Sequence, residues 1–269
     1  MLFRSGVSSR GLAEMMRRMA AQSALPESHQ HAYYQTHPGA SERLAVYQDH
    51  LARSDHADSH VADDVQRIAT RLIDKLRAYT DPPQSILRDA SRLAPENRIY
   101  SQAIAHYRRG DLATALALIN QNIKSDVGDP FYHELRGDIL VSMAKPAAAA
   151  DSYETAARLR PNSPQIMLNL GRALLATNDK THLGRAIEAI QDAVRGEPKW
   201  AFAHRQLAIA YGRAGKIANA DLALAEEAIL LNDRQQAINM AKRVLNHTDS
   251  DIDLKNRAND ILFSVGNDN

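Results

Sequence analysis

The chain has 269 residues, of which 44% are hydrophobic and only 5% aromatic, and it contains no cysteine. The absence of cysteine excludes disulfide bonds and thiolate metal sites. Lys and Arg total 33 against 32 for Asp and Glu, so the formal net charge of +1 gives no electrostatic reason to expect a nucleic-acid partner or an anionic membrane surface.

The first residues, MLFRSGVSSR, lack the apolar segment of a secretory signal. The segment MLFRS matches the in-frame translation of a common sequencing-adapter tail. We therefore expect residues 1–5 to be non-native and the native sequence to continue upstream of Gly6.

Two amphipathic helices are predicted next, over residues 11–22 and 41–53, and Ser41 is a plausible cap for the second. The polar, Pro-containing segment between them is typical of a loop. A second break, SDHADSH, covers residues 54–60. Its histidines could hold a divalent metal, but a solvated linker with helix-capping aspartates explains the same residues more simply.

A third helix is predicted over residues 61–79, where apolar residues advance in helical steps until Asp81-Pro82-Pro83 stops them. The apolar positions are Val61, Val65, Ile68, Leu72 and Leu76. We predict that residues 61–94 bridge an N-terminal part, residues 1–60, and a C-terminal part, residues 95–269.

Small residues recur at a fixed spacing in the C-terminal part. One set consists of Gly137, Ala149, Ala156 and Pro161. The corresponding set in the next repeat consists of Gly171, Ala186, Ala193 and Pro198. The interval from Gly137 to Gly171 is 34 residues, the period of a tetratricopeptide helix pair. Such pairs stack on their neighbours to bury their apolar faces. The predicted fold is therefore all-α, a tetratricopeptide-type solenoid preceded by further helices.

The concave side of such a solenoid is lined by the first helix of each pair, and this register predicts which residues face it. The candidate partner-binding residues are Tyr100, Tyr107, Arg108, Glu134, Asp138, Arg172, Arg205 and Arg213. Several are arginines, which suit the carboxylates of a protein or peptide client. The alternative is an ordinary charged, solvated surface.

Several segments resemble the carboxyl-terminal part of zinc metallopeptidases of the M48 family with tetratricopeptide repeats, the BepA-like periplasmic proteases of Gram-negative bacteria. The segments are GLAEMMRRM, QTHPGASERLAVYQ, DKLRAYTDPP, PFYHELRGDIL and AEEAILLNDRQQAINMAKRVL. The most specific match is Thr36-His37-Pro38 followed by Ser41-Glu42-Arg43. The resemblance implies a periplasmic location and contact with outer-membrane assembly machinery, and residues 1–60 would be a remnant of the peptidase domain.

The zinc-binding helix of that family cannot be placed in this chain. The pair His133-Glu134 continues Leu-Arg-Gly, so the second histidine of His-Glu-x-x-His is missing. We therefore predict no catalytic residues, no metal ligands and no cofactor in this chain, with zinc expected in a longer parent. The resemblance implies that His37 approaches that zinc as a regulatory ligand; the simpler interpretation is a polar loop histidine.

Two functions follow from the sequence. The first is the substrate-docking or assembly-docking part of a periplasmic metallopeptidase that is inactive without its catalytic domain. The alternative is a stand-alone tetratricopeptide adaptor that binds peptides and has no protease activity. Sequences typical of an acyl hydrolase, a phosphate-binding loop or a dinucleotide site are absent.

Overall fold

The computed structural model describes residues 7–23, 39–248 and 250–266. These residues form fourteen α-helices, most of them in stacked pairs, which confirms the all-α solenoid. Thr36-His37-Pro38 lies outside the described residues. The chain divides into two compact units, Met1–Ile73 and Asp74–Asn269. The three predicted ranges, 1–60, 61–94 and 95–269, stay predictions.

The first unit contains the helix pair α1 (Arg10–Ser23) and α2 (Ala40–Arg53). The Oγ of Ser9 lies 3.1 Å from Nδ1 of His50, which ties the start of α1 to the end of α2. Helix α3 (Asp63–Thr80) begins two residues later than predicted. Among the described residues, no group of three or more His, Asp or Glu side chains is arranged to hold a metal ion.

The second unit holds the end of α3 and eleven more helices. These are α4 (Pro83–Arg88), α5 (Pro95–Arg108), α6 (Leu112–Ser125), α7 (Pro130–Ser142), α8 (Pro146–Leu159), α9 (Pro164–Ala176), α10 (Leu183–Gly196), α11 (Ala201–Arg213), α12 (Ile217–Leu230), α13 (Arg234–Asn246) and α14 (Ile252–Gly266). No described helix combines the length and apolar character needed to cross a membrane.

The turn inside each repeat contains one residue with a left-handed backbone. Gly110 (φ 80°), Ala144 (φ 56°), Asn178 (φ 57°) and Gly215 (φ 74°) occupy this position. Their intervals are 34, 34 and 37 residues. The longer interval contains the 3₁₀ helix Lys180–His182, so three additional residues lengthen this turn and leave both helices intact.

The recurring small residues mark where the two helices of a pair come closest. A Cβ added at Gly137 would lie 2.6 Å from Cε1 of Tyr153 on α8, and one at Gly171 would collide with Ile190 on α10. Ala156 is fully buried at the same interface as Tyr153. Glycine and alanine therefore let the paired helices pack without the overpacking that a larger side chain would cause.

The end of α3 takes the place of an inner helix ahead of the first complete repeat. Arg108 on α5 donates from Nη1 to the carbonyls of Ala78 (2.8 Å) and Asp81 (2.6 Å). Three repeats later, the equivalent Arg213 on α11 donates to the carbonyl of Leu175 (2.7 Å) at the end of the preceding inner helix, α9. This equivalence indicates that α3 and the short α4 form a partial repeat. The sequence predicts this segment only as a bridge.

Candidate partner-binding groove

A groove of about 630 Å³ lies on the inner side of the second unit. Its lining comes from the inner helices α5, α7, α9 and α11, with contributions from α8 and the turn before it. The polar lining includes Tyr107, Asp138, Ser142, Asn169, Arg172, Gln206 and Arg213, and the apolar lining includes Val141, Leu175 and Ile209. The volume is in the range of pockets that hold small ligands or a few side chains of a partner.

Asp138 is fixed in the groove by the close approach at Gly137. Because position 137 has no side chain, the ring of Tyr153 packs against the backbone of α7 and remains almost fully buried. The hydroxyl of Tyr153 then donates a hydrogen bond of 2.6 Å to Oδ1 of Asp138. The repeat signature therefore positions a carboxylate in the groove as well as packing the helix pair.

Two guanidinium groups lie beyond Asp138, on the two following inner helices. Arg172 lies with its guanidinium carbon 5.3 Å from the centre of the Phe202 ring and donates a long hydrogen bond, 3.4 Å, to Oδ1 of Asn169. Arg213 donates to the carbonyl of Leu175. Since a guanidinium carries five N–H donors, both groups retain N–H groups that can donate hydrogen bonds to a carboxylate.

Large apolar side chains are exposed beside these charges. Val141 is 45% exposed, Ile209 41% and Phe202 42%, although all three belong to inner helices of a well-packed array. Val141 and Ile209 line the groove itself. An apolar surface with polar groups around it is the usual composition of a partner-binding surface.

A second carboxylate, Glu134, lies one helical turn before Asp138 on α7. Burial raises the pKa of the Glu134 carboxyl above its usual range; the charge of Lys75 opposes this, Asp138 adds to it, and Arg160 opposes it. Burial likewise raises the pKa of Asp138, against the hydrogen bond from Tyr153 and the charges of Lys75 and Arg172. Desolvation therefore outweighs the nearby cations at both acids.

These raised pKa values predict that Glu134→Gln stabilises the protein at neutral pH. A carboxyl whose pKa is higher in the folded than in the unfolded state destabilises the fold once pH exceeds its ordinary value of about 4.5. The variant should melt at a higher temperature than the parent at pH 7, and the difference should disappear below about pH 4. Glu188→Gln, at an exposed position on α10, is the control. A lower melting temperature for Glu134→Gln at pH 7 would contradict this assignment.

Four of the eight residues predicted from the register lie together in the groove, namely Tyr107, Asp138, Arg172 and Arg213. The other four lie elsewhere on or beneath the inner surface. Tyr100 is 2% exposed and packs on the ring of Tyr132, 5.1 Å between centroids. Arg108 is engaged with α3 as described, and Glu134 is half-buried next to the groove. Arg205 donates from Nε to Oε1 of Glu227 at 2.5 Å.

The groove also contains residues outside the predicted set. Asn169 and Gln206 line it one turn before Arg172 and Ile209, and Val141 and Ile209 supply its apolar surface. The helical register does point to Val141 and Ile209, because they occupy the positions of Tyr107 and Arg172 in other repeats. Aliphatic side chains at these positions resemble ordinary core residues in sequence, so only their exposure in the structure identifies them as groove residues.

Comparison with known proteins agrees with this architecture. The chain matches no family model and no curated protein. It is similar to solved structures of MamA. For the MamA RS-1 ArsTM double mutant the TM-score is 0.53 at 19% identity, over 65% of this chain and 98% of that one. For MamA MSR-1 the TM-score is 0.52 at 17% identity, over 64% of this chain and 99% of that one.

The chain has a tetratricopeptide-like solenoid fold. At these identities the similarity shows the fold alone and gives no support to the peptidase resemblance. The solenoid fold and its groove favour protein partners, so the adaptor function is better supported than the peptidase function.

Proposed function

We propose that this chain is a protein-binding scaffold whose groove receives a segment of a partner protein. The observation that carries the proposal is the combination in one groove of exposed apolar side chains, Val141 and Ile209, with the two guanidinium groups of Arg172 and Arg213. Stacked repeats hold these groups on rigid helices, so the surface is formed before the partner arrives.

The chemistry of the groove favours a segment that carries both an apolar side chain and a carboxylate. The apolar side chain would cover Val141 and Ile209, and the carboxylate would accept hydrogen bonds from Arg172. Asp138 lies on α7, the inner helix before that of Arg172, and is held in the groove by Tyr153. Its charge disfavours an acidic side chain of the partner next to it.

An array of random-sequence peptides tests the proposal. We expect the parent to bind a subset rich in apolar and acidic residues, and Arg172→Glu and Ile209→Asp to weaken that binding by about tenfold or more. Arg158→Glu, an exposed arginine on α8 outside the groove lining, is the matched control and should bind as the parent does. The proposal is wrong if no peptide binds, or if all three variants bind equally well.

A narrower version of this proposal makes the scaffold part of a periplasmic zinc metallopeptidase. It is supported only by the sequence resemblance, of which Ser41-Glu42-Arg43 lies in the first turn of α2 and Thr36-His37-Pro38 lies outside the described residues. In that version zinc and its ligands belong to a longer parent, and His37 regulates the metal. The gene sequence upstream of Gly6 tests it. A His-Glu-x-x-His helix there would support the peptidase, and a start codon immediately upstream would refute it.

A further inference from the structure

In helix α3 the polar side packs against neighbouring elements, whereas an amphipathic helix usually packs through its apolar side. Its buried residues are Asp74 and Ala78. The carboxylate of Asp74 accepts hydrogen bonds from Nδ2 of Asn97 (2.9 Å) and from the backbone N–H of Ala94 (3.2 Å). The polar side of the helix is therefore the side that is fastened, at its C-terminal end, to the start of α5.

The apolar side of α3 is exposed along the whole helix. We call its members the α3 stripe, and they are Val65, Ile68, Leu72 and Leu76. Ile68 is 67% exposed and Leu72 is 65% exposed. Because four exposed aliphatic side chains lie next to one another, they form a continuous apolar surface, which is less common than single exposed aliphatic residues. Their spacing of three, four and four residues places all four side chains on one face. A stripe of this length and width is what a second helix covers in a two-helix contact.

The charges of α3 are distributed unevenly along the helix. Its first turn carries Asp63 and Asp64, whereas its later charged residues other than the buried Asp74 are basic, ending in Arg77. If two copies of α3 paired in parallel, the acidic first turns of the two helices would lie side by side and repel each other. Two copies paired antiparallel would place the acidic first turn of each beside the basic end of the other, and the helix dipoles would also oppose.

We propose that the α3 stripe is a self-association surface through which two copies of this chain pair by antiparallel contact of their α3 helices. A twofold axis across the helix brings the same four apolar residues together from both copies, which is the geometry of an isologous dimer. The stripe shares no residue with the groove lining. The inference does not depend on the identity of the groove's partner.

Sedimentation equilibrium of the full chain tests the proposal. We expect a monomer–dimer equilibrium for the parent, and a dissociation constant raised by about a hundredfold in Ile68→Glu with Leu72→Glu, since the contact would then bury four carboxylates. The matched control is Val127→Glu with Leu231→Glu, which replaces two exposed apolar residues outside the stripe and should leave the dimer intact. A monomeric parent at about 100 µM, or equal association of the stripe variant, would overturn the proposal.

Charge reversal tests the antiparallel direction. Asp64→Lys and Arg77→Glu should each weaken the dimer severalfold, and the double variant should recover most of the loss because the opposite charges are restored. The antiparallel arrangement would be refuted if the double variant lost as much dimer affinity as the two single variants together. Circular dichroism of each variant checks that the helical content is unchanged. Binding of the parent to phosphatidylcholine vesicles through the stripe, with no dimer, would count against self-association.

Discussion

Arg205→Ala should lower the free energy of unfolding by about 3 kcal/mol. Arg205 is the hydrogen-bonding partner of Glu227, whose side chain is 3% exposed, and Oε2 of that carboxylate has no other partner among the described residues. Removing the guanidinium leaves a charged carboxylate buried without compensation, a loss of about 3–5 kcal/mol. We expect the lower end because Arg205 itself is half-exposed. Urea unfolding followed by circular dichroism measures the change.

The double variant Arg205→Met with Glu227→Leu is the control for this effect. It removes both charges and keeps the apolar bulk, so it should recover most of the stability lost by Arg205→Ala. An unchanged stability of Arg205→Ala would show that Glu227 is solvated in solution. Arg205→Glu would place two carboxylates together and unfold part of the array. Binding is therefore better tested with variants of Arg172 and Ile209.

Gly171→Val should destabilise the protein by about 3 kcal/mol, near the upper end of what overpacking costs. A Cβ at this position would meet Cγ1 of Ile190 at less than any normal contact distance and the carbonyl oxygen of Ala186 at 3.0 Å. Ile190 could rotate away, but the backbone carbonyl of α10 could move only if the helix moved. Denaturant unfolding of the variant measures the cost.

Gly184→Val is the matched control, because Gly184 lies on the partner helix α10 and has nothing within 4 Å of an added Cβ. This control should unfold within about 0.5 kcal/mol of the parent. If Gly171→Val were equally stable, the closest approach of α9 and α10 would be looser than the structure shows, and the 34-residue signature would need another explanation.

The repeats were predictable because their signature is made of small residues that only a close helix contact requires. Gly137 and Gly171 and their partners Ala156 and Ala193 repeat at the spacing of the fold, and each lies at the interface the pattern implies. The partial repeat of α3 and α4 escaped prediction since α4 is only six residues long and lacks that signature. The structure identifies this partial repeat by the hydrogen bond from Arg108 to the carbonyl of Ala78. Such a contact leaves no spacing pattern in the sequence.

The groove was predictable only in part, because helical register gives the direction of a side chain and not what covers it. Tyr100, Glu134 and Arg205 share one register position, yet Tyr100 is buried, Glu134 is half-buried and Arg205 is exposed. The difference arises from the neighbouring elements, since Tyr100 packs on Tyr132 and Arg205 reaches Glu227. Such long-range partners are set by tertiary packing and leave no local pattern in the sequence.

The 3₁₀ helix at Lys180–His182 shows that one turn of the array already tolerates additional length. The extra residues follow Asn178, after the chain has reversed, so α9 and α10 still meet at Gly171 and Ile190. The entropic cost of lengthening a surface loop grows slowly with its length. The segment between Asn178 and Leu183 is therefore a suitable place to graft a fluorescent reporter or an affinity tag while preserving the recognition surface.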